Sequence, residues 1–377
     1  MKIVYVLPAL THYGGAERIV VEKANYMAKI LNYDVYIINL FQDDNTANCF
    51  HLHEKVKQIN LSIPYHIQYL YKYPKRLWKK TSINAYMRKT LTQTILSISP
   101  DILVGVSYSK AELVSTLQCN AKKVIECHEP RAFHTSNIIK GSLISKFYLK
   151  HFYFKAIEKY ADMIVTLTEE DKKQWNKAKR VEVIPNFSTM QIIRQSACEA
   201  KRVIAVGRLR EEKGFERLIS IWKVVSEKHS DWQLDIYGEG PLMHHLTNLI
   251  KNDHVHNVTL RGKSDNISQE YATSSICVVT SHLEGFSIVI LEALKHGLPC
   301  IAFDCPYGPR NIIEDRKCGF LIEDGNNNQF IEKLNTLIED EQLRQHFSYA
   351  AIERARHFDT DTIMKQWKEL FESLLAQ

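Results

Sequence analysis

The chain has 377 residues, 45% hydrophobic and 24% charged, a globular balance spread over more chain than one hydrophobic core usually serves, so two domains are expected. No run reaches the roughly 18 apolar residues of a membrane-spanning helix, and the eight cysteines contain no Cys-x-x-Cys pair, which argues against a zinc site and for a reduced compartment. The net charge of +6 is uneven: residues 1–190 carry 27 Lys/Arg against 16 Asp/Glu, so the first half should face something anionic.

The amino terminus opens on an apolar run, 3–7, that predicts a first strand; it is too short for a signal peptide and lacks a cleavage site, so export is not expected. Further strands are predicted at 35–40, 102–106, 123–127, 163–167 and 181–184, with helices over 16–30, 83–98 and 143–160. Pro185-Asn186-Phe187 and a polar stretch to Lys201 read as a linker, after which 203–207 restarts the rhythm of strand and helix. Strands follow at 233–237, 258–260, 276–279, 300–302 and 319–322, helices begin near Gly214, Pro241, Ser287 and Asn327, and an amphipathic segment spans 360–375. This alternation predicts the α/β class: two doubly wound domains facing across a cleft, with ligands at the carboxyl ends of the strands. The divisions are 1–188, 189–358 and a closing helix, 359–377.

Four stretches have the residue types for chemistry. Glu284 to Glu292 leads from a loop into a helix, whose first amides around Phe286, Ser287 and Ile288 suit phosphate oxygens. Its two carboxylates, eight residues apart, span about two helical turns and can share one side of the helix; read alone, Glu284 equally suits an electrostatic cap. Gly207 to Gly214 offers Arg208 as a forked cation and Lys213 as a point charge, suited to a diphosphate leaving group, or else to a solvated surface loop. Gly14-Gly15 follows the first strand and lets backbone approach a ligand closely, without the Gly-x-Gly-x-x-Gly spacing of a dinucleotide site. His128 lies just past a strand end, placed either to hydrogen-bond a sugar hydroxyl or simply to pack.

Taken together, Gly14-Gly15, His128, Pro185-Asn186, Gly207-Arg208 with Lys213-Gly214, the segment Tyr237 to Pro241 and the Glu284/Glu292 pair resemble, in order and spacing over nearly the whole chain, the retaining glycosyltransferases of family 4 with the GT-B fold (glycosyl transferases group 1). The resemblance implies two Rossmann-like domains, acceptor-binding first and nucleotide-sugar-binding second, and a last helix that returns to the first. It implies that Arg208 and Lys213 bind the donor diphosphate, Glu292 the ribose, Gly262 and Lys263 the base through backbone, and that Glu284 and His128 contact the transferred sugar, Gly15 lying beside the donor. It implies no cofactor and no metal, with the nucleotide sugar as substrate. Asp359-Thr360-Asp361 superficially matches the Asp-x-Asp metal motif of the other glycosyltransferase fold but precedes the last helix and reads as its N-cap.

The segment 303–309 is similar to family members that use UDP-sugars in bacterial surface polysaccharide or teichoic acid assembly, so a UDP-hexose or UDP-N-acetylhexosamine is the expected donor. Residues 65–80 interleave Lys and Arg with Tyr and Trp, and 146–160 do so again, a pattern for an anionic membrane surface and a lipid-linked oligosaccharide acceptor, or for a solvated basic face. The location expected is the cytoplasm, peripheral at the inner face of its membrane. Nucleic acid is not expected as a partner, since no recognised binding module is present. The alternatives are a soluble acceptor or a sugar-nucleotide-binding protein without catalysis.

Overall fold

A computed structural model of the protein describes residues 1–11, 14–106, 110–135 and 152–376. The chain divides into two units, Met1–Pro185 together with Ile363–Gln377, and Asn186–Thr362. Relative to the sequence divisions at 188/189 and 358/359, the first border lies earlier and the second later.

The first unit is built on seven parallel strands, β1 (Lys2–Leu7), β2 (Asp34–Asn39), β3 (Val56–Asn60), β4 (Ile102–Val106), β5 (Lys122–Glu126), β6 (Met163–Thr166) and β7 (Val181–Val183), in the order β3-β2-β1-β4-β5-β6-β7. β1 pairs with β2 on one side and β4 on the other, Ile3 facing both Val35 and Ile102. Strands covered on both faces read as unbroken apolar runs, as β1 and β4 do. The helix Lys75–Ile98 lays Ile83, Met87, Leu91 and Ile95, one every fourth residue, against Val4, Val6, Leu103 and Ile125. It starts well before the predicted 83, because its first two turns are exposed and carry no apolar stripe. Of the predicted helix over 143–160, Phe154–Tyr160 is helical, and 143–151 lie outside the described residues. β3 was not predicted: Val56-Lys57-Gln58-Ile59-Asn60 is an edge strand with one fully buried side chain and a polar ladder, Asn39 Nδ2 donating to Asn60 Oδ1 at 2.9 Å.

The second unit has six parallel strands, β8 (Arg202–Val206), β9 (Gln233–Tyr237), β10 (Val258–Gly262), β11 (Ile276–Val279), β12 (Cys300–Phe303) and β13 (Gly319–Ile322), in the order β10-β9-β8-β11-β12-β13. Its core gathers Leu218, Ile219, Trp222 and Val225 of the helix Phe215–Lys228 with Val203, Ala205, Leu234 and Val278 of the sheet and Phe330, Leu334 and Leu337 of the helix Asn327–Glu339. Each of the Val, Leu, Ile and Phe side chains among them contributes roughly 1.5–3 kcal/mol on burial. The helix Glu341–Arg356 escaped prediction because its buried stripe is Arg344, Phe347, Ser348, Ala351 and Ala355, mostly small or polar. The last helix, Thr360–Leu375, begins directly after Asp359 and buries Ile363, Met364, Trp367, Leu370, Phe371 and Leu374. From Ile363 onward it belongs to the first unit. All eight cysteines are free thiols.

Candidate functional site

In the second unit the carboxyl ends of β8, β9 and β10 are tied through glycines. Gly207 N donates to Tyr237 O at 2.9 Å, Gly238 N to Gly262 O at 2.8 Å, and Leu209 N to Glu239 O at 2.9 Å. Gly238, at φ +141°, leaves no room for a side chain, since a Cβ there would strike the Gly207 carbonyl. Gly262 is different: φ is +72°, yet an added Cβ would meet nothing within 4 Å, so the backbone demands glycine while the space beside it stays open. Arg208 and Lys263, which follow Gly207 and Gly262, are exposed.

Lys213 closes a short 3-10 turn, Glu211–Lys213, ended by Gly214 at φ +64°. The Thr280 hydroxyl, just past β11, donates to Gly214 O at 3.0 Å and straps the turn to the next loop. In that loop Lys213 Nζ lies 2.7 Å from Glu284 Oε1, and Ser281 Oγ donates to the same oxygen at 2.6 Å. The Glu284 backbone forms an isolated parallel bridge with Tyr307, and a Cβ on Gly308 would come 2.5 Å from Glu284 Cβ. Glu284 is thus a buried carboxylate fixed from three directions, and hydrogen bonds to a charged group contribute about 1.5–3 kcal/mol each.

The following helix is Ile288–Lys295, so Glu284 lies in extended backbone before it and does not share a helical face with Glu292 as the spacing had allowed. The bridge to Tyr307 requires that extended conformation. Glu292 sits in the second turn, buried. Ser287 caps the helix with backbone only, its side chain making no capping bond, and the first turn holds no acid, so the first amides of the helix have no side-chain cap. Phe286 is buried with its ring edge-on to Phe358 at 5.7 Å.

Gly15 and His128 belong to the first unit. Gly15 opens the helix Gly15–Lys29, and Glu17 lies in its first turn. His12 and Tyr13 of the same sequence stretch lie outside the described residues. His128, buried just past β5, has Nε2 3.0 Å from Glu126 Oε1. Burial, and then the nearby Lys23 ammonium, push its pKa down to about 3 against the opposing carboxylates of Glu17 and Glu129. His128 is therefore a neutral imidazole at ordinary pH, fitted to hydrogen bonding and not to donating a proton as an acid.

The residues that sequence reasoning missed are those holding the site: Ser281, Gly308 and, beneath His128, Lys23 and Glu126. Ser281 stands close enough to Glu284 in sequence to be guessed from the loop. Nothing local points Gly308 at Glu284 or Lys23 at Glu126. Among the described residues no group of three or more His, Cys, Asp or Glu is arranged to hold a metal ion, and no helix is long and apolar enough to cross a membrane.

Residues 190–354 match the model of the family "Glycosyl transferases group 1". Over 380 residues, 98% of this chain and 99% of the relative, the chain is 29% identical to the amylovoran biosynthesis glycosyltransferase AmsD of Erwinia amylovora. It is 31% identical over 245 residues, 62% of this chain and 65% of the relative, to an N-acetylgalactosamine-N,N'-diacetylbacillosaminyl-diphospho-undecaprenol 4-alpha-N-acetylgalactosaminyltransferase of Campylobacter jejuni. In three dimensions it is similar to Anabaena HepE, solved in complex with UDP and glucose, with a TM-score of 0.76 over 99% of this chain and 100% of that one at 18% identity.

Proposed function

We propose that the chain is a glycosyltransferase of group 1 with the GT-B fold, a retaining enzyme of cell-surface glycan synthesis that moves a hexose or N-acetylhexosamine from a UDP-sugar to a lipid-linked or polysaccharide acceptor. The observation that carries the reading is the Lys213–Glu284 pair beside the uncapped start of the helix Ile288–Lys295. Lys213 keeps about a quarter of its side chain exposed while its ammonium rests on the buried carboxylate of Glu284. Such an array suits a diphosphate whose charge grows as the glycosidic bond breaks.

In this reading Arg208, Lys213 and the amides of Phe286, Ser287 and Ile288 hold the diphosphate. Glu292 takes the ribose hydroxyls, the base lies over the open space at Gly262 and Lys263, and the backbone at Gly15 lies beside the donor. Glu284 and neutral His128 hydrogen-bond the transferred sugar. The acceptor oxygen bonds to the anomeric carbon on the face that the diphosphate leaves, the carbon–phosphate-oxygen bond breaks, and the departing oxygen takes the acceptor proton. Arg208, Lys213 and the helix start supply the positive charge without a metal. The test is a panel of UDP-, GDP-, ADP- and dTDP-sugars with EDTA present, read by nucleotide release and calorimetry. One UDP-sugar should bind and turn over; failure of every nucleotide sugar to bind, or turnover only with added metal, would overturn the reading. Glu284→Ala should reduce turnover by about 100-fold with UDP affinity largely kept, and unchanged turnover would remove Glu284 from the catalytic residues.

The acceptor side rests on the first unit. From 55 to 100 the sequence holds nine Lys/Arg and no Asp or Glu. Here a 3-10 turn, Tyr65–Leu70, precedes the exposed start of the helix Lys75–Ile98, with Tyr73 81% and Trp78 79% exposed and Leu70 and Leu77 beside them. Rings and aliphatic side chains among cations suit an anionic bilayer surface, each cation contributing about 1 kcal/mol. The protein should co-sediment with phosphatidylglycerol vesicles at low salt and not with phosphatidylcholine, and Tyr73→Ala with Trp78→Ala should weaken this. No sedimentation with the anionic vesicles would remove membrane docking.

A further inference from the structure

We propose that Lys23 and Glu126 are positioning residues for His128, a buried ion pair that orients the imidazole and links it to the seating of the C-terminal helix. Lys23 lies in the helix Gly15–Lys29 and Glu126 at the end of β5, and both side chains are 1% exposed. The Lys23 ammonium meets Glu126 Oε1, the oxygen that stands 3.0 Å from His128 Nε2. Ammonium, carboxylate and imidazole therefore share one atom. The same ammonium lies 3.9 Å from the centre of the Trp367 ring and 5.7 Å from that of Tyr5. Trp367 is buried on the last helix, so one cation touches β1, the end of β5 through Glu126, and the returning helix.

Stability does not account for this pair. Taking two charges out of water costs several kcal/mol for each ion, and apolar residues of the same volume usually serve a core as well or better. Burial holds the Lys23 pKa well below its ordinary value, and Oε2 of Glu126 has no hydrogen-bond partner among the described residues. What the pair supplies is direction. Glu126 Oε1 stands 3.0 Å from Nε2 without the angle of a hydrogen bond, and its negative charge on that side favours the tautomer with the proton on Nε2, leaving Nδ1 as the accepting nitrogen. The positive charge of Lys23 meanwhile disfavours the imidazolium.

The inference rests on the reading of His128 as a contact to the transferred sugar, and the experiment separates the two. Full-length Lys23→Met/Glu126→Gln and His128→Ala are compared with wild type by UDP release from UDP-glucose and UDP-N-acetylglucosamine, alongside thermal unfolding. The double variant should unfold at or above the wild-type temperature, keep its donor KM within about threefold and lose kcat by about tenfold or more. Wild-type kcat in the double variant with an inactive His128→Ala overturns the positioning role alone. Wild-type kcat in His128→Ala overturns the site reading and this inference with it. Should the double variant fail to fold, nitrogen-15 histidine spectra of the wild-type protein decide: His128 protonated on Nε2 and unchanged from pH 8 to 5 supports the pair, and the other tautomer or titration near the ordinary value overturns it.

Discussion

Burial and the Lys23 ammonium keep His128 neutral down to about pH 3, whereas the unfolded chain protonates the same ring near 6.5. Below 6.5 the unfolded state thus binds a proton that the folded state refuses. The contribution of His128 to stability is whole above pH 6.5 and is lost as the pH falls towards 3, about 2 kcal/mol by pH 5 at 1.36 kcal/mol per unit. Asp171 works the other way: burial lifts its pKa to about 6 from 3.8, so acid relieves its cost between those values. Urea unfolding of wild type and His128→Gln at pH 7.5 and 5.0 cancels the Asp171 part, and the variant should lack the loss of about 2 kcal/mol. Equal pH dependence in both proteins would show that His128 titrates normally.

At the scale of elements, Glu284 is placed by loops from three strands, and Gly308 is the contact with the least slack. Gly308 has φ −87°, so alanine there meets no backbone strain, only the Glu284 Cβ at 2.5 Å. Gly308→Ala should cost about 1–3 kcal/mol by overpacking and reduce turnover at least tenfold by moving Glu284 about an ångström; wild-type turnover would show that the loop yields without moving the carboxylate. The strands of both sheets were legible except β3, because β-branched runs such as Ile102–Val106 and Ile276–Val279 are buried on both faces and need no partner to be recognised. β3 was not, since its residues are read correctly only beside β2, whose Asn39 meets its Asn60. Glu341–Arg356 was illegible for a related reason: Arg344 is buried by donating to Cys198 O, Leu337 O and Ile338 O, partners that no helical period reveals. Of the candidate site, residue types and order were legible. The Lys213–Glu284 pairing was not, because 71 residues separate its members.

At the scale of the whole molecule, each unit has its own core, and the first is completed by the end of the chain. Removing residues 363–377 takes away six buried apolar side chains, Ile363, Met364, Trp367, Leu370, Phe371 and Leu374. At roughly 1.5–3 kcal/mol each, their loss rivals the 5–15 kcal/mol that holds an ordinary domain together. The truncated protein should lose the calorimetric unfolding transition of the first unit and keep that of the second. Two transitions at their wild-type temperatures would mean that the last helix contributes little to the first unit's stability.

The sequence by itself determined the α/β class, the alternation of strand and helix in both halves, the amphipathic last helix and the residue types at the strand ends. These follow from local apolar periodicity and from glycines at turns, which act within a few residues of one another. Only the tertiary structure decided that Glu284 precedes its helix and leans on Lys213 and Gly308, that Gly262 borders open space, and that Lys23, Glu126, His128 and Trp367 meet. Those are contacts between side chains distant in sequence, brought together by parallel sheets whose crossovers return each strand end to the same edge.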